Sequence, residues 1–464
     1  MNAKSFVKRY QFLILITLVA AFAMVLAACG AAQPANAPAE DPAAEQPAAE
    51  EPAAEEPAAE EPAAEEPAAQ GGEVEIFSWW TSGGEVEALN ALYKVYNEQY
   101  PDVEIVNAAL AGGAGQGGNM KALLETRMMG GEPPDSFQVH LGRELIDSHV
   151  IPERMEALDT LYEEEGLYDA FPKDLIDIAS YDGHPWSVPV NIHRSNVLWY
   201  RTDKLEAAGV TEPPKTWDEF FEVAEKLKEK GIPALAVAEN EPNFSGHVFE
   251  SILVATLGPE AYRGLFDGTT KWDDPKVTEA LETLNKAYDY ANPDYLSTSW
   301  GDINDRYVAD NGPAMMIMGD WTHGVLKSKS FTNYHWAAAP GTDGIFLVLS
   351  DSFGLPKGAP HRENILNFLR VAASKEGQDA FNPLKGSIPA RIDADPKVYD
   401  EYQLEAIEDF KNDTLVPSIQ HGAAAKQSFV LDYAIAINIL ATTRDVAAAQ
   451  AALVQAATDA AFGQ

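Results

Sequence analysis

The fold is decided by residues 73–108, which read EVEIFSWWTSGGEVEALNALYKVYNEQYPDVEIVNA. The pattern predicts a strand over residues 75–79, an amphipathic helix over residues 85–100 and a second strand over residues 103–108. A third strand is predicted at residues 134–139, after an intervening helix. Strands that alternate with helices in this order are typical of a parallel sheet covered by helices.

The rest of the chain continues this α/β pattern. Residues 186–200 and 314–318 are apolar and strand-like, and the alanine-rich residues 446–462 predict a helix. The motif TWDE at residues 216–219 is a capping box that predicts the start of a helix, and Gly231 permits the left-handed end of that helix. A folded part of roughly 390 residues is larger than the domains that usually form around a single hydrophobic core, so we expect two α/β lobes.

Composition excludes several classes of function. The chain has 464 residues, of which 46% are hydrophobic, and its formal net charge is −39. Nucleic acid repels a chain with this much negative charge, and we therefore expect no nucleic-acid partner. The one cysteine, Cys29, excludes a disulfide within the chain and a site of several thiolates, and the nine histidines are scattered without ligand spacing. We therefore expect neither a metal nor a cofactor.

The N-terminus has the features of an export signal. Basic residues precede the apolar residues 12–26, which are too few for an ordinary membrane span. The sequence LAACG at residues 26–30 resembles a bacterial lipobox. The resemblance implies that residues 1–28 are a signal peptide and that Cys29 becomes lipidated. The alternative is an N-terminal membrane anchor with an incidental cysteine.

Residues 29–72 are a low-complexity segment in which EPAAE recurs in tandem. The segment lacks aromatic residues and has almost no branched aliphatic residues, so it has nothing to bury. Its prolines favour an extended backbone, which at ~3.1 Å per residue reaches on the order of 100 Å. We expect a disordered tether between the lipidated cysteine and the folded body.

Five segments carry a resemblance to a known family. They are IFSWW at residues 76–80, PPDSFQVH at 133–140, PVN at 189–191 before LWY at 198–200, PKTWDE at 214–219, and GDW at 319–321. In these the chain resembles the family 1 extracellular solute-binding proteins of ABC sugar importers, the maltose-binding type. Three more segments look most similar to the bacterial glucose/galactose-type members: NIHRSN at 191–196, LSDSFG at 349–354 and NPLKGS at 382–387.

The resemblance implies a two-lobe periplasmic-binding-protein fold of type II, with a hinge between the lobes and the ligand in the cleft between them. It places residues 73–189 and 351–395 in the N-lobe, and residues 190–350 and 396–464 in the C-lobe. It implies a monomeric, non-enzymatic protein at the extracytoplasmic face of the membrane, or in the periplasm where the cell has an outer membrane. Such a protein binds a monosaccharide or short oligosaccharide, here glucose or a related hexose, and delivers it to an ABC permease.

A sugar site needs flat aromatic surfaces for the C–H faces of the ring and buried polar groups aimed at its hydroxyls. Trp80 and Trp321 each follow a strand, where ligand sites of open α/β sheets lie. Trp300 lies in a loop-like stretch and is a third candidate. Core packing is the alternative for each of these residues, and we expect Trp217 in the core of its helix.

Polar candidates complete the predicted site. Gln138 and His140 alternate along a strand end and share a face, which the resemblance places at the cleft. Asp320 could accept hydrogen bonds from vicinal hydroxyls and Lys385 could donate one. The resemblance maps His421 to a loop that faces the ligand. The further candidates are Glu85, His247 and Asp351.

Other functions stay open at this point. The glycine-rich residues 112–118 lack the Gly-Lys-Ser/Thr ending of a phosphate loop, and the sequence has neither a GxSxG nor an HExxH motif. A secreted glycoside hydrolase would also have tryptophan-rich loops and paired acids, such as Asp320 and Asp351. A binding protein for an oligosaccharide, a peptide or a polyamine could have the same fold.

Overall fold

The computed structural model describes residues 71–110, 118–240 and 244–463. The predicted signal peptide, the lipidation site Cys29 and nearly all of the predicted tether lie outside these residues. The described strands are β1 Gly72–Ser78, β2 Val103–Ala109, β3 Ser136–His140, β4 Ser180–Tyr181, β5 His184–Pro185, β6 Ser187–Pro189, β7 His193–Arg194, β8 Val197–Tyr200, β9 Met315–Ile317, β10 His335–Ala338, β11 Ile345–Leu349, β12 Asp351–Gly354 and β13 Thr414–Pro417.

Helices cover the sheets and connect most of the strands. The α-helices are Gly83–Gln99, Gly118–Gly130, Arg143–Leu145, Asp159–Glu164, Leu167–Ala170, Lys173–Ala179, Thr202–Ala207, Trp217–Glu229, Phe244–Leu257, Pro259–Asp267, Pro275–Ala287, Trp300–Val308, Trp321–Ser328, Arg362–Ala373, Lys375–Lys385, Glu401–Asn412, Gln427–Thr443 and Val446–Asp459, with a π-helix at Ile146–Val150 and 3-10 turns at Tyr288–Tyr290 and Tyr295–Ser297. Among the described residues, no helix combines the length and the apolar character that crossing a bilayer requires.

The first sheet has five strands in the order β2-β1-β3-β12-β6. Strand β1 pairs in parallel with β2 and β3, which confirms the predicted parallel sheet. Strand β12 returns from far along the chain and pairs antiparallel with both β3 and β6. Gly72 already pairs with Val103, so β1 begins before the predicted start and takes in the last residue assigned to the tether.

Two further sheets of three strands each are built from later parts of the chain, in the orders β10-β8-β9 and β13-β11-β7. The apolar stretch 186–200 was predicted as one strand-like segment, but it forms three short strands in three different sheets. The reason is that the chain leaves the first sheet after Pro189. The Val190 amide still donates to the Asp351 carbonyl, and the Ile192 amide donates to the Ile388 carbonyl instead.

The helix Trp217–Glu229 starts and ends at the signals found in the sequence. Thr216 Oγ accepts from the Glu219 amide, as predicted, while the Glu219 carboxylate accepts from the amide of Lys215. Gly231 adopts the expected left-handed conformation, with φ of 72°. The prediction of a loop around Trp300 was wrong, because Trp300 begins a helix that Ser299 caps with a full capping box.

Candidate functional site

A pocket opens where strands of different sheets end. It encloses about 630 Å³ of space free of protein atoms, part of it open to solvent. Strands β1, β3 and β11 reach it with their carboxyl ends, and β12 reaches it with its first residue. The lining residues are Trp79, Trp80, Glu85, His140, His193, Ala238, Phe244, His247, Trp300, Met318, Trp321, Leu349, Asp351, Lys385 and His421.

The structure brings together most of the residues predicted from the sequence. Every predicted ligand-binding candidate lines this pocket except Gln138 and Asp320. The sequence analysis missed Trp79, His193 and four apolar residues of the wall. Both exceptions lie directly behind the wall, in contact with residues that form it.

Asp351 is the central acidic group of the pocket. Its Oδ1 accepts from Gln138 Nε2 at 2.9 Å, and its Oδ2 accepts from Asn191 Nδ2 at 2.9 Å. Burial alone would raise the pKa of this carboxyl, but the hydrogen bond from His193 and the nearby positive charges outweigh it and hold the pKa far below its usual value. Asp351 is therefore ionised, and Gln138 orients it from behind.

His193 lies between two carboxylates. Its Nδ1 contacts Asp320, and its Nε2 lies 3.3 Å from Asp351 Oδ2. Burial would lower the pKa of His193, but the two carboxylates outweigh burial and raise it. The second Asp320 oxygen accepts from the Arg194 amide at 3.0 Å. Asp320, a candidate ligand contact in the sequence analysis, is buried outside the pocket lining and holds His193 from behind the wall.

His140 is oriented by an ion pair. Its Nδ1 lies 2.8 Å from Glu144 Oε2, and Lys121 Nζ donates to the same oxygen at 3.0 Å. Burial alone would raise the pKa of Glu144, but the charges of Lys121 and His140 outweigh it and lower the pKa to about 2. The Lys121 ammonium also lies 5.0 Å from the centre of the Trp79 ring.

Trp321 is half-buried and forms an aromatic wall. The centres of the His193, His247 and His421 rings lie 5.4, 5.6 and 4.9 Å from its own. The backbone at Gly319 permits this arrangement, because a Cβ there would lie 2.0 Å from the Trp321 ring. Trp300 is also half-buried and lies against Phe244.

Trp80 packs mainly in the core, although it touches the pocket. Its side chain is 0% exposed, and its ring lies 5.1 Å from Phe381 and 6.0 Å from Phe353. The preceding residue, Trp79, lies against the His140 ring at 5.1 Å. Trp80 therefore combines the core packing given as its alternative role with a position at the pocket wall.

Lys385 ends one helix and pairs with Glu85 at the start of another. Its Nζ donates to Glu85 Oε1 at 2.8 Å and lies 5.4 Å from the centre of the Trp80 ring. Gly84 permits this approach, because a Cβ there would lie 2.5 Å from the carbonyl oxygen of Leu384. The ammonium is thus fixed at the pocket wall.

His421 closes the remaining side of the pocket. Its Nε2 lies 3.2 Å from His247 Nε2, and its Nδ1 lies 3.0 Å from Ser418 Oγ. Burial and the neighbouring histidines lower the pKa of His421 well below its usual value, so this imidazole is neutral. Although four histidines line the pocket, the described residues contain no group of three His, Cys, Asp or Glu arranged to hold a metal ion.

Comparison with known proteins gives the family. Residues 80–379 match the family described as bacterial extracellular solute-binding protein. The chain belongs to this family. The match covers more than half of the chain, so the resemblance inferred from short segments is confirmed.

Relatives of similar length support the same assignment. An uncharacterized ABC transporter extracellular-binding protein of Pyrococcus horikoshii is 35% identical over 83% of this chain and 87% of its own. A probable sugar-binding periplasmic protein of Rhizobium meliloti is 31% identical over 76% of this chain and 85% of its own. Among solved structures, a chitin oligosaccharide binding protein superposes with a TM-score of 0.73 over 84% of this chain and 98% of its own, at 21% identity. The predicted two-lobe α/β fold is confirmed.

Proposed function

We propose that this solute-binding protein is the extracytoplasmic component of an ABC importer for a sugar, and that its ligand is a neutral hexose such as glucose. The observation that carries the proposal is the ionised Asp351 at the wall of a pocket that Trp321 also lines. A hexose offers hydroxyl donors for such a carboxylate and apolar C–H faces for an indole. The relative named as a probable sugar-binding protein supports the same class of ligand.

The charges of the pocket favour a neutral ligand. Asp351 lies near His193, which it shares with Asp320, and near the positive charge of Lys385, which itself pairs with Glu85 at 2.8 Å. A polyamine would bind best to carboxylates that have no positively charged neighbour. A charged ligand would have to break these ion pairs, which would leave a buried charge without its partner. Hydroxyl groups can share the same charged groups without displacing their partners.

The same charges argue against a glycoside hydrolase. Such an enzyme needs one carboxyl group that is protonated as general acid beside another that is ionised. Asp351 has a strongly depressed pKa, and Asp320 lies behind the wall with both oxygens engaged by His193 and Arg194. The pair named from the sequence therefore lacks the geometry for acid catalysis, and we propose that the protein is not an enzyme.

We further propose the lobe boundaries implied by the sequence, residues 73–189 with 351–395 and residues 190–350 with 396–464. The sheet pairing supports these boundaries. Strands β11 and β12 are separated only by Ser350, yet β11 belongs to another sheet and β12 belongs to the first sheet. Closure of one lobe on the other would bury the ligand. The Glu144 amide donates to the Gly422 carbonyl at 3.0 Å, a contact between the two proposed lobes.

Location and partners follow from the sequence. We propose a monomer held at the outer face of the membrane by lipid on Cys29, which delivers its ligand to the permease subunits. Replacement Cys29→Ser is then expected to release the protein to the soluble fraction or to block its processing. Membrane fractionation with metabolic acyl labelling tests this, and wild-type protein that takes up no acyl label would refute it.

Calorimetric titration tests the ligand. The expected result is 1:1 binding of glucose, with weaker or absent binding of maltose, a dipeptide and spermidine. Binding of maltose or longer sugars alone would make this an oligosaccharide-binding protein, and binding of the dipeptide or spermidine alone would overturn the sugar assignment. Release of chromophore from a nitrophenyl glycoside would instead support the hydrolase.

A further inference from the structure

A buried carboxylate outside the pocket organises the loop that carries His421. Glu250 lies in the helix Phe244–Leu257, is 0% exposed and does not line the pocket. It accepts hydrogen bonds from Ser195 Oγ at 2.5 Å, Ser418 Oγ at 2.9 Å, the Ile419 amide at 3.0 Å and the Gln420 amide at 3.2 Å. Three of these donors come from the residues directly before His421.

The direction of the hydrogen bonds follows from proton counting. Above its pKa, Glu250 is a carboxylate that can only accept, so the single proton of the Ser418 hydroxyl is directed to it. Ser418 Oγ can then only accept a hydrogen bond from His421 Nδ1, which lies 3.0 Å away. His421 Nδ1 must therefore be protonated and act as the donor. Because the His421 imidazole is neutral, its Nε2 has no proton and is an acceptor.

We infer that Glu250 is a positioning residue that acts through Ser418 to fix His421 as the Nδ1–H tautomer, whose unprotonated Nε2 is an acceptor at the pocket wall, within reach of His247 Nε2 and of a hydroxyl donor of the ligand. The inference about the ligand rests on the proposed function, whereas the inference about the tautomer does not. Without Glu250, the Ser418 proton could turn to His421 and reverse the tautomer. The pocket would then offer a donor where the wild-type protein offers an acceptor.

Serine replacements provide a matched test. Ser418→Ala removes the link between Glu250 and His421, and leaves the carboxylate its two backbone donors. Ser195→Ala is the control, because Ser195 binds the same carboxylate but does not contact His421. Glu250→Gln is the conservative variant. The Ile419 and Gln420 amides donate to the same Glu250 oxygen as Ser418, so they should keep the amide oxygen of glutamine in that place, where it still accepts from Ser418.

The first readout is the ¹⁵N spectrum of the histidine rings in the ligand-free protein, recorded well above the Glu250 pKa, which burial raises to about 7. The wild type, Ser195→Ala and Glu250→Gln are expected to show protonated Nδ1 and bare Nε2 at His421, and Ser418→Ala to lose this pattern. A protonated Nε2 at His421 of the wild type would overturn the inference. A His421 signal that changes as much in Ser195→Ala as in Ser418→Ala would also overturn it.

The second readout is glucose affinity by calorimetry. Ser418→Ala is expected to weaken binding about tenfold or more, and Ser195→Ala by about twofold or less. Equal losses in the two variants overturn the role of the tautomer in binding. If no protein binds glucose while the spectra are as expected, the tautomer inference stands and the sugar assignment fails.

Discussion

Asn191 and Asp351 exchange hydrogen bonds across two segments by which the chain passes between its sheets. Asn191 Oδ1 accepts from the Asp351 amide at 2.7 Å, and Asn191 Nδ2 donates to Asp351 Oδ2 at 2.9 Å. One segment joins β6 to β7, and the other joins β11 to β12 through Ser350. The carboxylate at the pocket wall is therefore fixed to two crossings between the sheets, so we expect a ligand held by Asp351 to act on the geometry of the proposed lobes.

The carboxylate of Asp351 should be needed for binding. Replacement Asp351→Asn keeps the size of the side chain but removes the charge, and its NH2 group would face one of the two donors, Asn191 Nδ2 or Gln138 Nε2. We expect glucose affinity to fall by about 1.5–3 kcal/mol, the range for hydrogen bonds to a charged group. Calorimetry measures the loss, and the exposed Asp169→Asn is the control. A folded Asp351→Asn protein with wild-type affinity would remove Asp351 from the site.

Trp321 and Trp217 should respond differently to truncation. Trp321→Ala removes an aromatic wall of the pocket, so glucose affinity should fall by about 1–3 kcal/mol. Trp217 lies against Phe220 at 5.0 Å, away from the pocket, so Trp217→Ala should lower the melting temperature and leave affinity unchanged. Calorimetry and thermal unfolding of both variants distinguish the two roles. Similar affinity losses in both would contradict the assignment of Trp217 to packing.

Local patterns explain which features the sequence predicts. The strand and helix of residues 73–99 are predicted well because their apolar spacing is local. The signal for Trp300 was also local, since Ser299 and Asp302 have the spacing of a capping box, but it was missed. His193 could not be found in this way. Its neighbours Asp320 and Asp351 are far along the chain, and only the crossing between sheets brings them together.

Consecutive residues show a second limit of sequence patterns. Trp79 and Trp80 both follow β1 and both line the pocket, whereas simple alternation along a strand would put only one of them on the core side. The pattern does not say which side is the core, because both residues are large and apolar. Packing against Phe381 and Phe353 decides that Trp80 is the more buried of the two.

Glu144 should make stability depend on pH in the acid range. Its pKa in the folded protein is about 2 against an ordinary value of 4.5, so its contribution to stability is fully present above pH 4.5 and is lost as pH falls towards 2. Glu144→Gln should remove a contribution on the order of 3 kcal/mol at neutral pH and flatten the fall of the unfolding free energy in this window. Urea unfolding of both proteins at several pH values measures the difference, with the exposed Glu163→Gln as control. Parallel pH curves for wild type and Glu144→Gln would contradict the assigned pKa.

Closure should depend on the absence of a side chain at Gly422. A Cβ at this position would lie 2.8 Å from Glu144 Cβ, across the contact between the two proposed lobes. Gly422→Ala should therefore hold the lobes apart, weaken glucose binding about tenfold and leave a larger radius of gyration at saturating sugar. The control is Gly209→Ala, because Gly209 has a similar φ of 70° but no atom within 4 Å of an added Cβ. In both variants an alanine at positive φ adds a comparable backbone strain of about 1 kcal/mol. A difference between them in affinity or radius of gyration should therefore come from crowding at the lobe contact. Small-angle scattering and calorimetry measure the outcome, and equal behaviour of the two variants would show that the Gly422 contact is not part of ligand-induced closure.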